Sequence, residues 1–501
     1  MKKLYMVCAC LTAVSAPAEE WAIVGPRAMG MGGAGVAVTQ GGLSAYWNPA
    51  ALAPPREPRV PTFWDVEVPV SASAFATNDA LRKLDGISDL VDDLDFGDLD
   101  NILDDPAANL SDEQLRDAIK LLSEDLPGLN EAGTGIVTQA SAGVLARIWQ
   151  VGFSALGIAH AGGLTRVDLT NLSLGDEGIT GAIGSGSDRS GSLSGAGQAF
   201  ADQLASDGLA TQDQAEEIVF QAEQAGVNVA SSRTQSNIRN VLQSTQDNIG
   251  GDPDSFFTNN TTGTDLRGIL LQEFAVSFAQ PLFDVVSVGV NAKLMNGWTY
   301  YKPYNLRDID SAKDLADDLF DEENREESIN FGIDAGLLFQ PLSWLSAGVV
   351  GRNLNNPELE FDGPGDYEVE RQFRAGIGIA PFASTGSFFQ VTLAADVDLI
   401  RNDSEALPGY ESQLLGGGVE VGLADVLFLR GGVSKNLAES EEDLMVHAGF
   451  GLRLWVLQVD AAANLIPDFT EISTSSDGSD SSDVPERGGF ALQLSLNLPL
   501  D

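Results

Sequence analysis

The chain has 501 residues, of which 43% are hydrophobic, and its 73 acidic side chains outnumber 28 basic ones to give a net charge of −45. That balance excludes a direct grip on nucleic acid, which needs a surplus of Lys and Arg over phosphate. The hydrophobic share excludes a disordered acidic chain. The two cysteines, Cys8 and Cys10, exclude a disulfide framework.

Lys2 and Lys3 open the sequence, and Leu4 to Ser15 is apolar but too short to span a bilayer as a helix. Ala16-Pro17-Ala18 then supplies a small-x-small cleavage site. This predicts a secretory signal peptide over residues 1–18, with the mature chain starting at Glu19. A lipid anchor at Cys10 would need a longer apolar stretch before it. Beyond the leader there is no run of 18 uncharged apolar residues. The nearest, Gly143 to Gly163, is broken by Arg147 and Gln150. The chain is therefore an exported soluble protein or a membrane β-barrel.

Residues 19–58 form a Gly-rich segment. Gly30, Gly32 and Gly35 spell G-x-G-x-x-G, but a dinucleotide site needs a strand before it and a helix after it. Here a leader precedes, and Gly41, Gly42 and Pro49 break any helix that follows. The glycines better suit a backbone packed tightly inside a barrel. Trp21 to Leu52 is expected to plug a lumen, because a wide barrel cannot be filled by side chains alone. It is expected to start at the periplasmic mouth, between the cleavage site and the first strand.

Period-two alternation dominates from residue 265 onward. Phe389, Val391, Leu393, Ala395, Val397 and Leu399 share one face, with Gln390, Thr392, Ala394, Asp396 and Asp398 on the other. Phe331 to Phe339, Leu444 to Leu454 and Phe490 to Leu500 repeat the pattern. Runs of this length match the ~9–11 residues of a tilted membrane-crossing strand rather than the usual ~5–6. One face is apolar and the other polar or small, as in a transmembrane barrel.

Extended over the chain, the pattern predicts 14 strands. They are 62–76, 139–148, 150–160, 266–280, 284–298, 328–340, 343–352, 369–381, 387–400, 412–424, 425–436, 443–453, 454–464 and 488–499. Their connections alternate long and short, the wiring of outer-membrane barrels. An even number of strands places both termini on the periplasmic side. The barrel is thus expected over residues 59–501, interrupted by insertions at 77–135 and 165–264.

Residues 79–131 carry 16 Asp/Glu against 4 Lys/Arg. Leu84, Ile87, Val91, Leu94 and Ile102, then Leu115, Ile119, Leu122 and Leu126, recur at helical spacing on either side of Pro106. Weaker helical patches lie at Ala199 to Leu209 and Gln214 to Gln224. Their polar composition favours a solvated cap over a docking module.

No catalytic constellation stands out, and His160 and His447 are too few for a multi-histidine metal site. No enzyme activity, cofactor or metal centre is expected. Asp93, Asp95, Asp98 and Asp100 miss the calcium-loop spacing. With Asp477, Asp480 and Asp483 they offer at most weak divalent-cation binding on acidic loops. By parity, Lys293, Arg374, Asp396, Asp398, Glu420, His447 and Arg453 face the lumen, either as a paired wall network or as a polar lining that a cargo passes.

The stretch Gly25-Pro26-Arg27-Ala28-Met29-Gly30-Met31-Gly32-Gly33-Ala34-Gly35 is followed by Asn48-Pro49-Ala50. It resembles the N-terminus of the FadL-like and PorV-like outer-membrane barrels. Asp334 to Leu338, Gly351 to Leu354, Ala394 to Leu399 and Gly431 to Asn436 are similar to the branch labelled plasmid conjugal-transfer TraF-like. The resemblance implies an all-β transmembrane barrel of 14 antiparallel strands in the bacterial outer membrane. It also implies an N-terminal lumen hatch centred on Gly30, Gly32, Gly33, Gly35, Asn48, Pro49 and Ala50, and helical insertions in the external loops. Two functions follow. One is transport of small, hydrophobic compounds across the outer membrane. The other is a non-enzymatic assembly, secretion or conjugation component that docks partner proteins. The partners implied are outer-membrane lipid and either a hydrophobic small molecule or secretion and conjugation proteins.

Overall fold

The computed structural model describes residues 19–53, 62–83, 116, 119–168, 191–247, 261–305, 324–365, 367–382, 388–440, 442–473 and 481–499. The expected leader, the acidic run Asp93 to Asp100, the helical pattern from Leu84 to Leu115, and Asp477 and Asp480 lie outside them. Fourteen long strands close into one antiparallel barrel. In chain order they are β1 (Thr62–Thr77), β2 (Gly135–Ile148), β3 (Val151–Arg166), β4 (Gly263–Phe283), β5 (Val286–Asn305), β6 (Arg325–Leu342) and β7 (Leu345–Arg352). The second half comprises β8 (Gln372–Ile379), β9 (Phe389–Asp398), β10 (Leu414–Leu423), β11 (Leu427–Asn436), β12 (Met445–Leu454), β13 (Leu457–Leu465) and β14 (Arg487–Pro499). Each pairs with its sequence neighbours, and β14 returns to pair with β1, so no edge is left open.

The strands are those the alternation predicts, but several run further at the long-loop end. β2 begins at Gly135 rather than 139, β3 reaches Arg166 rather than 160, and β5 reaches Asn305 rather than 298. The reason is physical. Ladder hydrogen bonding continues above the bilayer, whereas the apolar side of the alternation is needed only within it.

Parity sets the environment along every strand. In β9, Phe389 and Leu393 are exposed on the outside while Ala394, Asp396 and Asp398 are buried inside. In β14, Phe490, Leu492 and Leu494 face out, whereas Ala491, Gln493 and Ser495 are buried. At the short-turn end, Trp149, Phe283, Trp344, Phe382, Phe388 and Trp455 are exposed together, as an aromatic girdle requires at a membrane interface. A lysine in place of Leu393 would put a charge against lipid at a cost of roughly 2–4 kcal/mol. Leu393→Lys is expected to lower the yield of folded barrel sharply. Thr392→Lys, one residue away on the inner face and opposite Glu420 in β10, should lower it less. Equal yields, read from the mobility of unboiled samples on a gel, would overturn the facing assignment.

The insertions hold more order than their composition suggests. Helices Gly195–Ser206, Gln212–Gln224 and Ser232–Asp247 pack around Phe200, Leu204, Ile218, Val219, Ile238 and Leu242. Ile119, from the first insertion, joins the same core. Asn237 Nδ2 donates to Ser123 O at 2.9 Å, and Arg233 pairs with Glu131 at 3.0 Å, so the two insertions form one cap. Thr211 starts the middle helix with a reciprocal capping box to Gln214. The solvated cap expected from the polar composition therefore has a core. Too few apolar residues sit on any one helix to show it, but three such stripes and Ile119 together bury one.

Candidate functional site

Residues 19–53 lie inside the barrel as a hatch. Pro26–Gly30 is a short helix against β12 and β13, and Ser44–Trp47 is a second turn, followed by the 3₁₀ turn Pro49–Leu52. Trp21, Tyr46 and Trp47 form its core, with Trp21 and Trp47 stacked at 6.2 Å and Tyr46 edge-on to both. The polar ends of two of these rings close internal bonds: Tyr46 OH donates to Ala22 O at 2.7 Å, and Trp47 Nε1 to Val24 O at 2.9 Å. Asn48 accepts from Ala50 N and donates to Val36 O and to Leu337 O of β6, which explains the Asn-Pro-Ala sequence. Asn caps the turn, Pro49 fits its first position, and Ala50 packs without bulk against Gly289 of the wall.

The hatch does not start at the periplasmic mouth as expected. Glu19 sits at the long-loop end, where its carboxylate accepts from Tyr367 OH (2.7 Å), Ser404 Oγ (3.0 Å) and Ala406 N (2.8 Å). Pro49–Leu52 lies at the short-turn end, where Ser287 Oγ donates to Ala50 O and Gly152 abuts Leu52. The segment therefore runs down the lumen from the far end before it joins β1. Sequence order places the segment between leader and strand, but it does not say how far the segment reaches into the lumen.

Wall and hatch are joined by ion pairs and by close backbone approach. Arg27 Nε and Nη2 donate to Glu420 at 3.0 and 2.9 Å, Arg430 Nε donates to the same carboxylate at 2.7 Å, and Arg430 Nη1 reaches Asp460 at 2.7 Å. Asp396 Oδ2 accepts from Gly35 N and Val36 N at 2.7 and 2.8 Å. Lys293 Nζ holds Glu273, Asp334 and Asn353 at 2.8, 3.1 and 2.6 Å. Arg374 Nε donates to Asp398 at 2.6 Å and its guanidinium lies 4.7 Å from the Trp21 ring centroid. His447 bonds Ser434 Oγ through Nε2 at 2.8 Å. Arg453 is half-buried near the short-turn end, where Nε donates to Gln458 and the guanidinium covers Phe428. All seven lumen candidates thus lie on the inner face, each with a partner.

The alternation also marks partners that were not singled out from the sequence. Arg430, Asp460, Glu273, Asp334 and Arg352 hold inward parity in their strands and are buried. Arg147 and Asp65, paired at 3.0 Å, belong to β2 and β1, where small residues blur the pattern. Glycines of wall and hatch matter as much. A Cβ built on Gly416 would sit 1.8 Å from Gly32 O, and one on Gly35 would sit 2.4 Å from the Trp47 ring. Gly416→Ala is expected to push the hatch off the wall and raise its cleavage rate by added protease several-fold while the barrel still forms. An unchanged rate would mean that the contact is not needed.

Among the described residues, cavities beside the hatch include one of about 50 Å³ at the long-loop end and one of about 10 Å³. The larger has an apolar wall of Ile158, Ile269 and Leu271, and polar groups from Glu19, Arg352 and Glu370. Both are far below the ~150 Å³ that accommodates benzene. Among the described residues, no cluster of three or more His, Cys, Asp or Glu could hold a metal ion.

A closed barrel with an apolar outer belt and a lumen plugged by its own N-terminal segment is a hatch-closed transmembrane β-barrel. Residues 45–398 match the family described as "F plasmid transfer operon, TraF, protein", and the chain belongs to that family. No curated protein matches the sequence. Among solved structures, it is similar to a "TodX deltaS2S3 mutant monoaromatic hydrocarbon channel" at 10% identity and TM-score 0.43, covering 95% of this chain and 99% of that one. It is also similar to the Ralstonia pickettii toluene transporter TbuX at 12% identity and TM-score 0.41, covering 95% and 98%. A third is a Pseudomonas aeruginosa FadL homologue at 10% identity and TM-score 0.38, covering 97% and 99%.

Proposed function

We propose that this protein is a non-enzymatic outer-membrane channel for small hydrophobic compounds, gated by its N-terminal hatch. The observation that carries the reading is the lumen. It is wide enough to need a separate plug, and that plug is held by hydrogen bonds and ion pairs that can be exchanged rather than by the barrel ladder. The apolar side of the larger cavity, at the long-loop end, offers a first resting place for an uncharged compound. That cavity is smaller than such a compound, so the hatch shifts to admit one there.

Both native cysteines lie in the leader segment, so an engineered pair reports cleanly. Ser346 Oγ donates to Ala37 O at 2.8 Å, which places hatch and β7 within reach of each other. In cells expressing Ala37→Cys/Ser346→Cys, oxidation is expected to stop uptake of radiolabelled naphthalene and reduction to restore it. Wild-type uptake no faster than in cells without the barrel would refute the channel. Uptake that is unaffected by oxidation would refute the gate.

The packed helical cap favours a second reading, in which the long-loop end docks a partner protein. A partner that co-purifies with the intact chain and is lost when residues 191–247 are replaced by a short linker would support it.

A further inference from the structure

The descent of the hatch from the long-loop end places Glu19 among acids. Glu19 O accepts from Gln372 Nε2 at 2.5 Å, and Glu19 shares the larger cavity with Glu20, Glu368 and Glu370. Glu370 is 2% exposed, and its Oε2 is buried without a hydrogen-bond partner. Burial, with Glu368, Glu405 and Asp403 nearby, pushes the Glu370 carboxyl up to about 8. Glu405, pushed up to about 7 by burial and by Glu19, adds to the same field.

Among the described residues, the cations facing this region are committed elsewhere. Arg352 Nη2 holds Glu273 at 3.0 Å and its guanidinium covers Tyr46. Arg487 holds Glu20 and Glu442. Arg267 donates to Pro364 O and lies over Phe361. His160 lies 3.7 Å from the Glu19 carboxylate. A buried carboxylate without a cation is costly enough to stay protonated instead.

We propose that the missing cation is made by the chain itself: removal of the leader after Ala18 creates an α-ammonium on Glu19 that pairs with Glu370 and pins the tip of the hatch. The leader would then do more than direct export. With the peptide bond intact, the Glu19 nitrogen is a neutral amide, and the tip lacks its ion pair. Hydrolysis of the Ala18–Glu19 bond by water releases the leader with an Ala18 carboxylate and leaves Glu19 with a primary ammonium of three donors, so the hatch is secured only in the processed chain. The inference stands apart from what the channel carries.

The test uses the folded barrel purified from membranes in detergent. Intact mass should show a chain beginning at Glu19, and any other start overturns the proposal. Acetylation of the N-terminus by N-hydroxysuccinimidyl acetate is then followed against pH. An ordinary α-amine titrates at roughly 7.7–8.0; the ion-paired one should label at least about tenfold more slowly at pH 7.5 than in the unfolded chain, with its midpoint moved above 9. Glu370→Gln should move the midpoint back and raise the folded rate several-fold, with the gel mobility of the folded barrel unchanged. A wild-type midpoint of 8 or lower overturns the proposal even if that variant does not fold. Equal protection in wild type and a folded Glu370→Gln barrel overturns it as well, since burial alone would then account for the slow rate.

Discussion

Deleting Gly25 to Gly42 is expected to turn a silent barrel into one that conducts ions in discrete steps across a planar bilayer. The deletion removes the Pro26–Gly30 helix and the backbone that occupies the space between β8 and β12. The wall should survive, because most of its charges pair with one another rather than with the hatch. Lys293 with Glu273 and Asp334, Arg374 with Asp398, Arg430 with Glu420 and Asp460, and Arg147 with Asp65 are all wall-to-wall contacts. A 14-strand lumen is wider than the eight-strand size that side chains can fill. Unchanged conductance from a deletion variant that still shows folded-barrel mobility would mean that another segment closes the lumen.

The second large effect is expected at Glu420. This carboxylate holds Arg27 of the hatch and Arg430 of the wall at once. Glu420→Ala leaves the Arg27 guanidinium without its anion and Arg430 with Asp460 alone, and removing one partner of a buried pair costs at most about 3–5 kcal/mol. The hatch should become open to protease, and the temperature at which the barrel loses its folded gel mobility should fall. Arg27→Ala should do less to the barrel, because Arg430 keeps Glu420 partnered and Asp460 keeps Arg430 partnered. Loss of barrel stability in Arg27→Ala equal to that in Glu420→Ala would show that the hatch, not the wall network, carries the stability.

Much of this architecture is legible in the sequence because a bilayer imposes a strict rule on each strand. Leu393 and Asp396 differ in parity, and parity alone places one in lipid and the other in the lumen. The seven lumen candidates follow from the same rule. What parity cannot supply is pairing. That Asp396 would receive two hatch amides, or that Glu420 would bridge Arg27 and Arg430, depends on register between segments hundreds of residues apart. The wall glycines were hidden for a related reason. Gly416 and Gly432 read as neutral members of the polar face, and only the approach of Gly32 shows that the space above them is taken. The helix Ser232–Asp247 carries little signal in the sequence because Ile238, Val241 and Leu242 are its few buried apolar positions among polar neighbours.

The seam between β1 and β14 joins strands from opposite ends of the sequence, and the hatch precedes β1. An N-terminal segment that reaches the far mouth could enter a finished cylinder only by threading through it, past wall glycines that lie against the hatch backbone. The order of assembly is thereby constrained: the N-terminal segment must lie in the open trough before its last two edges meet. Registration of that final seam, the most non-local pairing in the molecule and so the costliest in chain entropy, then doubles as a checkpoint. A barrel that zips shut early traps its own first residues outside.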